Sequence, residues 1–467
     1  MQNHRTTQKI VVIGVGSASF GPTILATLIR NEALHGSHLA LVDLNSKALA
    51  VATEVARRMN EEWDAGMTIS SSTERTDVLP GASHVVVSIE VGRREELWQL
   101  DWEIPLRHGL RQPYAENGGP GGLAHALRQI PPHLAIAADM ERLCPQAWMI
   151  IFSNPLPRIV RAIRKYSKIN VVGKCHQIEV GYALCAALLH RQFDITLPDN
   201  LVLHSDPGNV GVVRTLAEVG RHHLTITSTG LNHFIWLLDI HDRHTGTDLY
   251  PELKKAIEWA PPTLEPLALE LFRLFGRLPI AGDTHLVEYL PWLHDPLTKP
   301  HEIFLTPLYD WRGNENVREV LNNMMQAMAD GKLPVAGLWE APSEGATELI
   351  AALGGRGQYI DETVNIPNNG AIQGLPDETI VEVPAVVDSN GIRALQLGHL
   401  PPPILELCRR EAALVEFVVD AAAQGDRRLA LQALLMDPMI NDIGRAKAIL
   451  DDYLTTFAQY LPQFDSG

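Results

Sequence analysis

An apolar run, Lys9-Ile-Val-Val-Ile13, leads directly into Gly14-Val15-Gly16-Ser17-Ala18-Ser19 and then into a helical stretch with Pro22 near its start. Continuous β-branched residues suit a strand covered on both faces. A second such run over 38–45 carries Asp43 toward its end. Strand, glycine turn, helix and strand in this order predict a parallel βαβ unit that binds a dinucleotide. Gly14 makes the tight turn, Gly16 lets the backbone approach a pyrophosphate, Ser17 follows it, and the helix N-terminus faces the anion. An acidic residue at Asp43 would hold the adenosine ribose hydroxyls and favour NAD over NADP. Ser19 stands where a third glycine is usual, so the motif draws its weight from the surrounding order of elements. The plainer alternative is a tight turn beside a surface Asp.

The same rhythm continues with a helix over about 46–62 and strands at 84–90 and 147–155. Together these predict an α/β chain with a Rossmann-type, doubly wound parallel sheet of the lactate/malate dehydrogenase kind. Near residue 200 the pattern changes. "HLTITSTGLNHFIWLLDIHD" reads as antiparallel strands, and helical patterns fill about 250–275, 313–330 and 403–458. The expected organisation is a nucleotide domain over 1–200 and a mixed α+β substrate domain over 201–467.

A formal charge of −16 argues against nucleic acid or an anionic membrane as partner, because phosphate binding needs clustered Lys and Arg. Four scattered cysteines without a CxxC pair suit a reducing compartment. With no signal-like start and no span-length apolar run, the expectation is a cytoplasmic enzyme.

Four short segments carry the candidate chemistry. "AENGGPGGLAHALRQIP" holds Glu116, Asn117 and Arg128; "FSNPLP" holds Asn154; "GKCHQ" holds Cys175 and His176; "GLNHFIW" holds Asn232 and His233. Asn154 and Cys175 fall at predicted strand ends, where a doubly wound sheet places its ligand crevice. A thiolate and an imidazole converging there would suit a divalent transition metal with positions left open for substrate oxygens. Against this, a lone Cys is most often a small buried hydrophobe and a lone His a satisfied structural group.

Taken in order, "IGVGSASFGP", "PYAENGGPGGLAHALRQIP", "FSNPLP", "KCHQ", "GLNHF", "GDTHLVEYLPW", "NIPNNGAIQGLPDETIVEVPAVVD" and "MDPMINDIGRAKAILDDYL" resemble the NAD- and metal-dependent glycosidases of glycoside hydrolase family 4 over almost the whole chain. The resemblance implies that Cys175 and His233 hold a divalent ion, usually manganese, that Asn154 touches sugar and cofactor, and that Glu116 lies near sugar hydroxyls. It puts Asp283, in "AGDTH", at the place of a catalytic base, and His176 beside sugar or leaving oxygen. It also implies a small glycoside substrate, a homo-dimer or homo-tetramer, and a redox-elimination route. In that route NAD takes hydride from C3, the metal helps acidify the C2 proton, the glycosidic oxygen leaves, water adds at C1, and NADH restores C3.

A carboxylate such as Asp283 is a sensible base at neutral pH, although a helix N-cap is its bland alternative; His285 and Glu288 read as structural. "GDTHLVEYLPW" is closest to the α-galacturonidase and α-glucuronidase branch, whose members often have Arg after the Asp. Thr284 stands there instead, which is also compatible with neutral α-glucosides or α-galactosides. No basic cluster announces a 6-phosphate. Two other classes remain as alternatives: a 2-hydroxy-acid dehydrogenase, which has no use for a Cys–His pair, and a non-catalytic NAD sensor.

Overall fold

The structure is a computed structural model that describes residues 8–198, 201–203, 210–295, 297–309, 311–343 and 345–464. Its backbone is one mixed sheet of eleven strands: β1 (Lys9–Ile13), β2 (His38–Val42), β3 (Thr68–Ser72), β4 (His84–Val87), β5 (Trp148–Ile151), β6 (Asn170–Gly173), β7 (Leu224–Leu231), β8 (Phe234–Asp242), β9 (Tyr359–Pro367), β10 (Ile380–Asp388) and β11 (Gly391–Ala394). The strand order is β3-β2-β1-β4-β5-β6-β9-β10-β7-β8, with β11 added beside β10. The first six strands are parallel. Their order is that of two βαβ halves meeting at a switch point between β1 and β4.

The strands read as buried on both faces are so. Ile10, Val12, Leu39, Leu41, Val86 and Ile150 join one core. Their alternate neighbours Val11, Ile13, Ala40, Val42, Val87 and Ile151 join another on the opposite face, as the two-residue period of a strand requires. The strands are shorter than expected, stopping at Ile13, Val42, Val87 and Ile151. The residues just past them, Gly14, Asp43 and Asn154, form loops along one rim of the sheet.

Other departures have local causes. β3 was not expected because "TISSS" is a half-polar edge strand without an apolar signal. The helical pattern over 250–275 is two helices, Tyr250–Ala256 and Pro266–Phe275, separated at Pro261-Pro262. The long C-terminal pattern is three helices, broken first at Gly425 with φ +66° and again at Asp437-Pro438.

The expected boundary near residue 200 falls beside residues outside the described set. On either side of it the chain is joined rather than merely adjacent. Gly173 of β6 pairs with Asn365 of β9. The helix Pro402–Gln424 contributes Leu414, Val418 and Val419 to the core that contains Met149 and Ile151. Among the described residues no helix is long and apolar enough to cross a membrane.

Candidate active site

The glycine turn is built as its residues demand. Gly14 has φ +89°, and a Cβ there would lie 2.0 Å from the Ser88 carbonyl oxygen. Gly16 N–H donates to Asp43 Oδ2 at 2.8 Å, and a Cβ at Gly16 would meet that same carboxylate at 2.7 Å. Ser17 Oγ accepts from Phe20 N–H at the mouth of the first helix. The close helix-to-strand approach that a third glycine permits is supplied two residues after Ser19. A Cβ on Gly21 would lie 2.2 Å from the Val15 carbonyl oxygen. The loop therefore has an uncrowded backbone facing a helix N-terminus with Asp43 beside it, a cradle fitted to a dinucleotide.

Further along the same rim, Cys175 lies two residues past β6, and His233 sits in the two-residue turn joining β7 to β8. Their side chains meet, with Cys175 Sγ 3.3 Å from His233 Nε2. Two ligands of one small divalent ion are separated by roughly 3.1–3.6 Å, taking bonds of about 2.3 Å to sulfur and 2.1 Å to nitrogen. The donor pair therefore fits a shared ion. His233 is held at φ +61°, a left-handed conformation that costs a non-glycine residue roughly 1–2 kcal/mol. Burial, with His285, His176 and Arg94 adding to it, drives its pKa well below the ordinary value, so the ring is neutral and able to ligate. Asn117 packs against its far nitrogen, Nδ2 to Nδ1 at 2.6 Å, and buried Asn117 Oδ1 has no partner. Were Nε2 to hold a metal, Nδ1 would carry the ring proton, and that orphaned amide oxygen is the acceptor a flipped Asn117 would present.

Glu116 is also brought to this place, its Oε2 3.9 Å from His233 Nδ1. Burial opposes its charge, but Arg94 first, then His285, His125 and a hydrogen bond from Asn154, outweigh it and hold the carboxyl below its usual range. Arg94 forms a direct ion pair with it. His176 is exposed, on the solvent side of the Cys175 loop.

Two expectations need correction. Arg128 is not a substrate contact. Its guanidinium grips Asp101 through two bonds of 2.8 and 2.5 Å, lies 4.3 Å over the Phe457 ring, and is 1% exposed. Asp283 does not have the surroundings of an ionised base. Its two oxygens accept Leu267 N–H and Ala268 N–H, each at 2.8 Å, capping the helix Pro266–Phe275. Burial first, and Glu265 second, push its pKa well upward, against the charged form. Asp283 and Thr284 nonetheless line a cleft with Tyr114 and Tyr309.

The residues missed from sequence are those behind and beside the Cys175–His233 pair. His285 stacks on His233 with centroids 3.8 Å apart, meets the edge of Tyr114, and has its Nδ1 3.3 Å from Glu288 Oε2. Glu116, His233 and His285 offer ligand-type atoms all within 4.8 Å of one another. Glu288 also receives the backbone N–H groups of Glu116 and Asn117, so it fixes the loop that carries both. Glu382, fully buried on β10, accepts from Gln177 at 3.0 Å, Asn232 at 2.6 Å and Asn365 at 3.2 Å. The "DTHLVE" spacing put His285 and Glu288 one helical turn apart and was the available signal for that pair. Nothing local marks Glu382.

A glycine turn fitted to a dinucleotide and a paired thiol and imidazole fitted to a metal ion share one rim of a doubly wound sheet, the arrangement of a cofactor-dependent enzyme. The family 4 glycosyl hydrolase model matches residues 9–189, and the model of that family's C-terminal domain matches residues 228–440. An α-glucosidase of Erwinia rhapontici is 31% identical over 95% of this chain and 96% of its own. An α-galactosidase of Bacillus subtilis is 28% identical over 98% and 100%, and an α-galacturonidase of the same species 27% identical over 97% and 98%. The solved structure of Bacillus subtilis lplD covers 96% of this chain and 100% of its own, with TM-score 0.82 at 26% identity. A 6-phospho-α-glucosidase from gut microorganisms, in complex with NAD and Mn2+, covers 98% and 99% with TM-score 0.76 at 21% identity. The chain belongs to glycoside hydrolase family 4, and it is a glycosidase built on a dehydrogenase-type fold.

Proposed function

We propose that the protein hydrolyses a neutral α-glucoside or α-galactoside, with NAD and manganese as its cofactors. The observation that carries this reading is the 3.3 Å approach of Cys175 Sγ to His233 Nε2 on the rim that also bears the Gly14–Gly16 cradle. Relatives named for α-glucosidase and α-galactosidase activity support the substrate class. Thr284, in place of a residue able to grip a carboxylate, favours a neutral sugar over a uronide, and Arg94 is already engaged with Glu116 and Glu90.

When bound, NAD supplies the transient hydride exchange at sugar C3, and the divalent ion supplies the polarisation that acidifies the C2 proton. Cys175 and His233 would hold the ion, with Asn117 fixing the imidazole. Glu116, ionised, and Asn154 orient sugar hydroxyls. His285, oriented by Glu288 as a His–carboxylate pair, takes the C2 proton in the role first expected of Asp283. His176, at the solvent edge, passes a proton to the leaving oxygen and then activates the water that adds at C1. The chain works in the cytoplasm as a homo-oligomer. A reducing compartment keeps a thiolate ligand intact.

The test is a panel of aryl α- and β-glycosides, neutral, uronic and 6-phosphorylated, assayed with NAD and Mn2+ under reducing conditions. Release of the neutral α-anomers, abolished by chelator and by Cys175→Ala and slowed by deuterium at both C2 and C3, is the expected result. Hydrolysis that persists without NAD, or that is confined to uronides, would overturn it.

A further inference from the structure

Three imidazoles come together away from the active site, where the helix Val210–His223 ends and the turn after β8 begins. The ligand nitrogens of His222, His223 and His244 all lie within 4.8 Å of one another. The ring centroids of His222 are 4.7 Å from His223 and 5.5 Å from His244.

Their backbones are tied down independently. Arg243 N–H donates to the His223 carbonyl at 2.7 Å, and Arg243 Nε donates to the Leu224 carbonyl at 3.1 Å. Leu224 and Asp242 form the first rung of the β7–β8 pair. Asp242 Oδ1 collects His244 N–H, Thr245 N–H and the Thr245 hydroxyl, which fixes the turn carrying His244. The His223 ring is clamped parallel to Phe193 at 4.5 Å. His222 and His244 are exposed, which leaves their rings room to turn toward a common centre.

We propose that His222, His223 and His244 form a second metal site, for a zinc-class divalent ion, separate from the Cys175–His233 pair. Neutral imidazoles alone select borderline ions such as Zn2+, Ni2+ or Cu2+ over oxygen-seeking Mg2+, Ca2+ or Mn2+. Asp242 Oδ1 is occupied by its turn, and the three imidazoles would leave one position of a tetrahedral ion open to water. Such an ion would join the end of one helix to the outermost strand of the sheet.

The experiment is equilibrium dialysis of Zn2+ against the untagged, chelator-stripped full chain and three variants. Wild type is expected to bind two equivalents, and Cys175→Ala and H222Q/H244Q one each. The triple variant is expected to bind none. H222Q/H244Q should keep its Mn2+- and NAD-dependent activity, which also shows that it is folded. The proposal is overturned if H222Q/H244Q still binds as many equivalents as wild type, or if Cys175→Ala binds none.

Discussion

His285 and Asp283 are two residues apart, yet their surroundings are unlike. His285 lies against His233, the imidazole proposed to hold the metal, and is oriented by Glu288. Asp283 is absorbed by two backbone N–H groups, and burial pushes its pKa upward. Replacing His285 with Asn should therefore lower kcat by about 10²–10⁴-fold, the usual worth of a positioned base, with Mn2+ affinity preserved. Replacing Asp283 with Asn should mainly cost stability, about 1 kcal/mol for a weakened cap. Steady-state kinetics beside thermal melting of the two variants distinguishes them. A larger kcat loss in D283N than in H285N would restore Asp283 as the base. Sequence reading named Cys175, His233, Glu116, Asn117 and Asn154, and the fold brings these together. It also named Arg128, because a basic residue in a glycine-rich segment looks available; only the fold supplies Asp101 and Phe457 to occupy it.

At the scale of elements, the candidate site is a set of loops along one rim of the sheet. Glu382, from the middle of β10, ties the Cys175 loop through Gln177, the hairpin turn through Asn232, and β9 through Asn365. Replacing it with Gln puts an amide donor among three donors. The expected cost is about 1–3 kcal/mol of stability and a 10–100-fold loss of Mn2+ affinity, read by denaturant titration and metal titration. Unchanged metal affinity would show that the hairpin turn holds His233 without help. On the nucleotide side, Gly21→Ala would drive a methyl into the Val15 carbonyl, 2.2 Å away. About 1–3 kcal/mol of destabilisation and weaker NAD binding should follow, measurable by melting and fluorescence titration. Strands β1, β2, β4 and β5 were legible because their burial on both faces leaves unbroken apolar runs. β3 was not, since an edge strand can be polar, and the place of β10 in the sheet depends on partners far along the chain.

The whole molecule couples burial to pH. Burial lowers the His84 pKa to about 4. Below the ordinary value of 6.5 the unfolded chain binds a proton there that the folded chain refuses, so stability falls as pH drops from 6.5 toward 4. The loss approaches about 3 kcal/mol. Wild type should therefore lose ground to His84→Gln across that window in denaturant titrations. Glu411 runs the other way. Burial and then Asp437 raise its pKa to about 7, so its contribution is intact below 4.5 and fades as pH rises through 7, and Glu411→Gln should gain on wild type there. Parallel shifts of variants and wild type would refute both assignments. The chain's own residues determine the nucleotide half: periodic apolar runs, a glycine turn and an acid after the second strand are local and short in range. They also determine which side chains carry chemistry, since a thiolate and an imidazole are chemically distinct wherever they lie. Tertiary structure alone decides which of those side chains are free to act. Cys175 and His233 are 58 residues apart, and only a hairpin folded across the rim of the sheet brings sulfur and nitrogen within reach of one ion. The same packing ties Asp283 to a helix end and Arg128 to Asp101, because a buried charge must find a partner wherever the fold provides one.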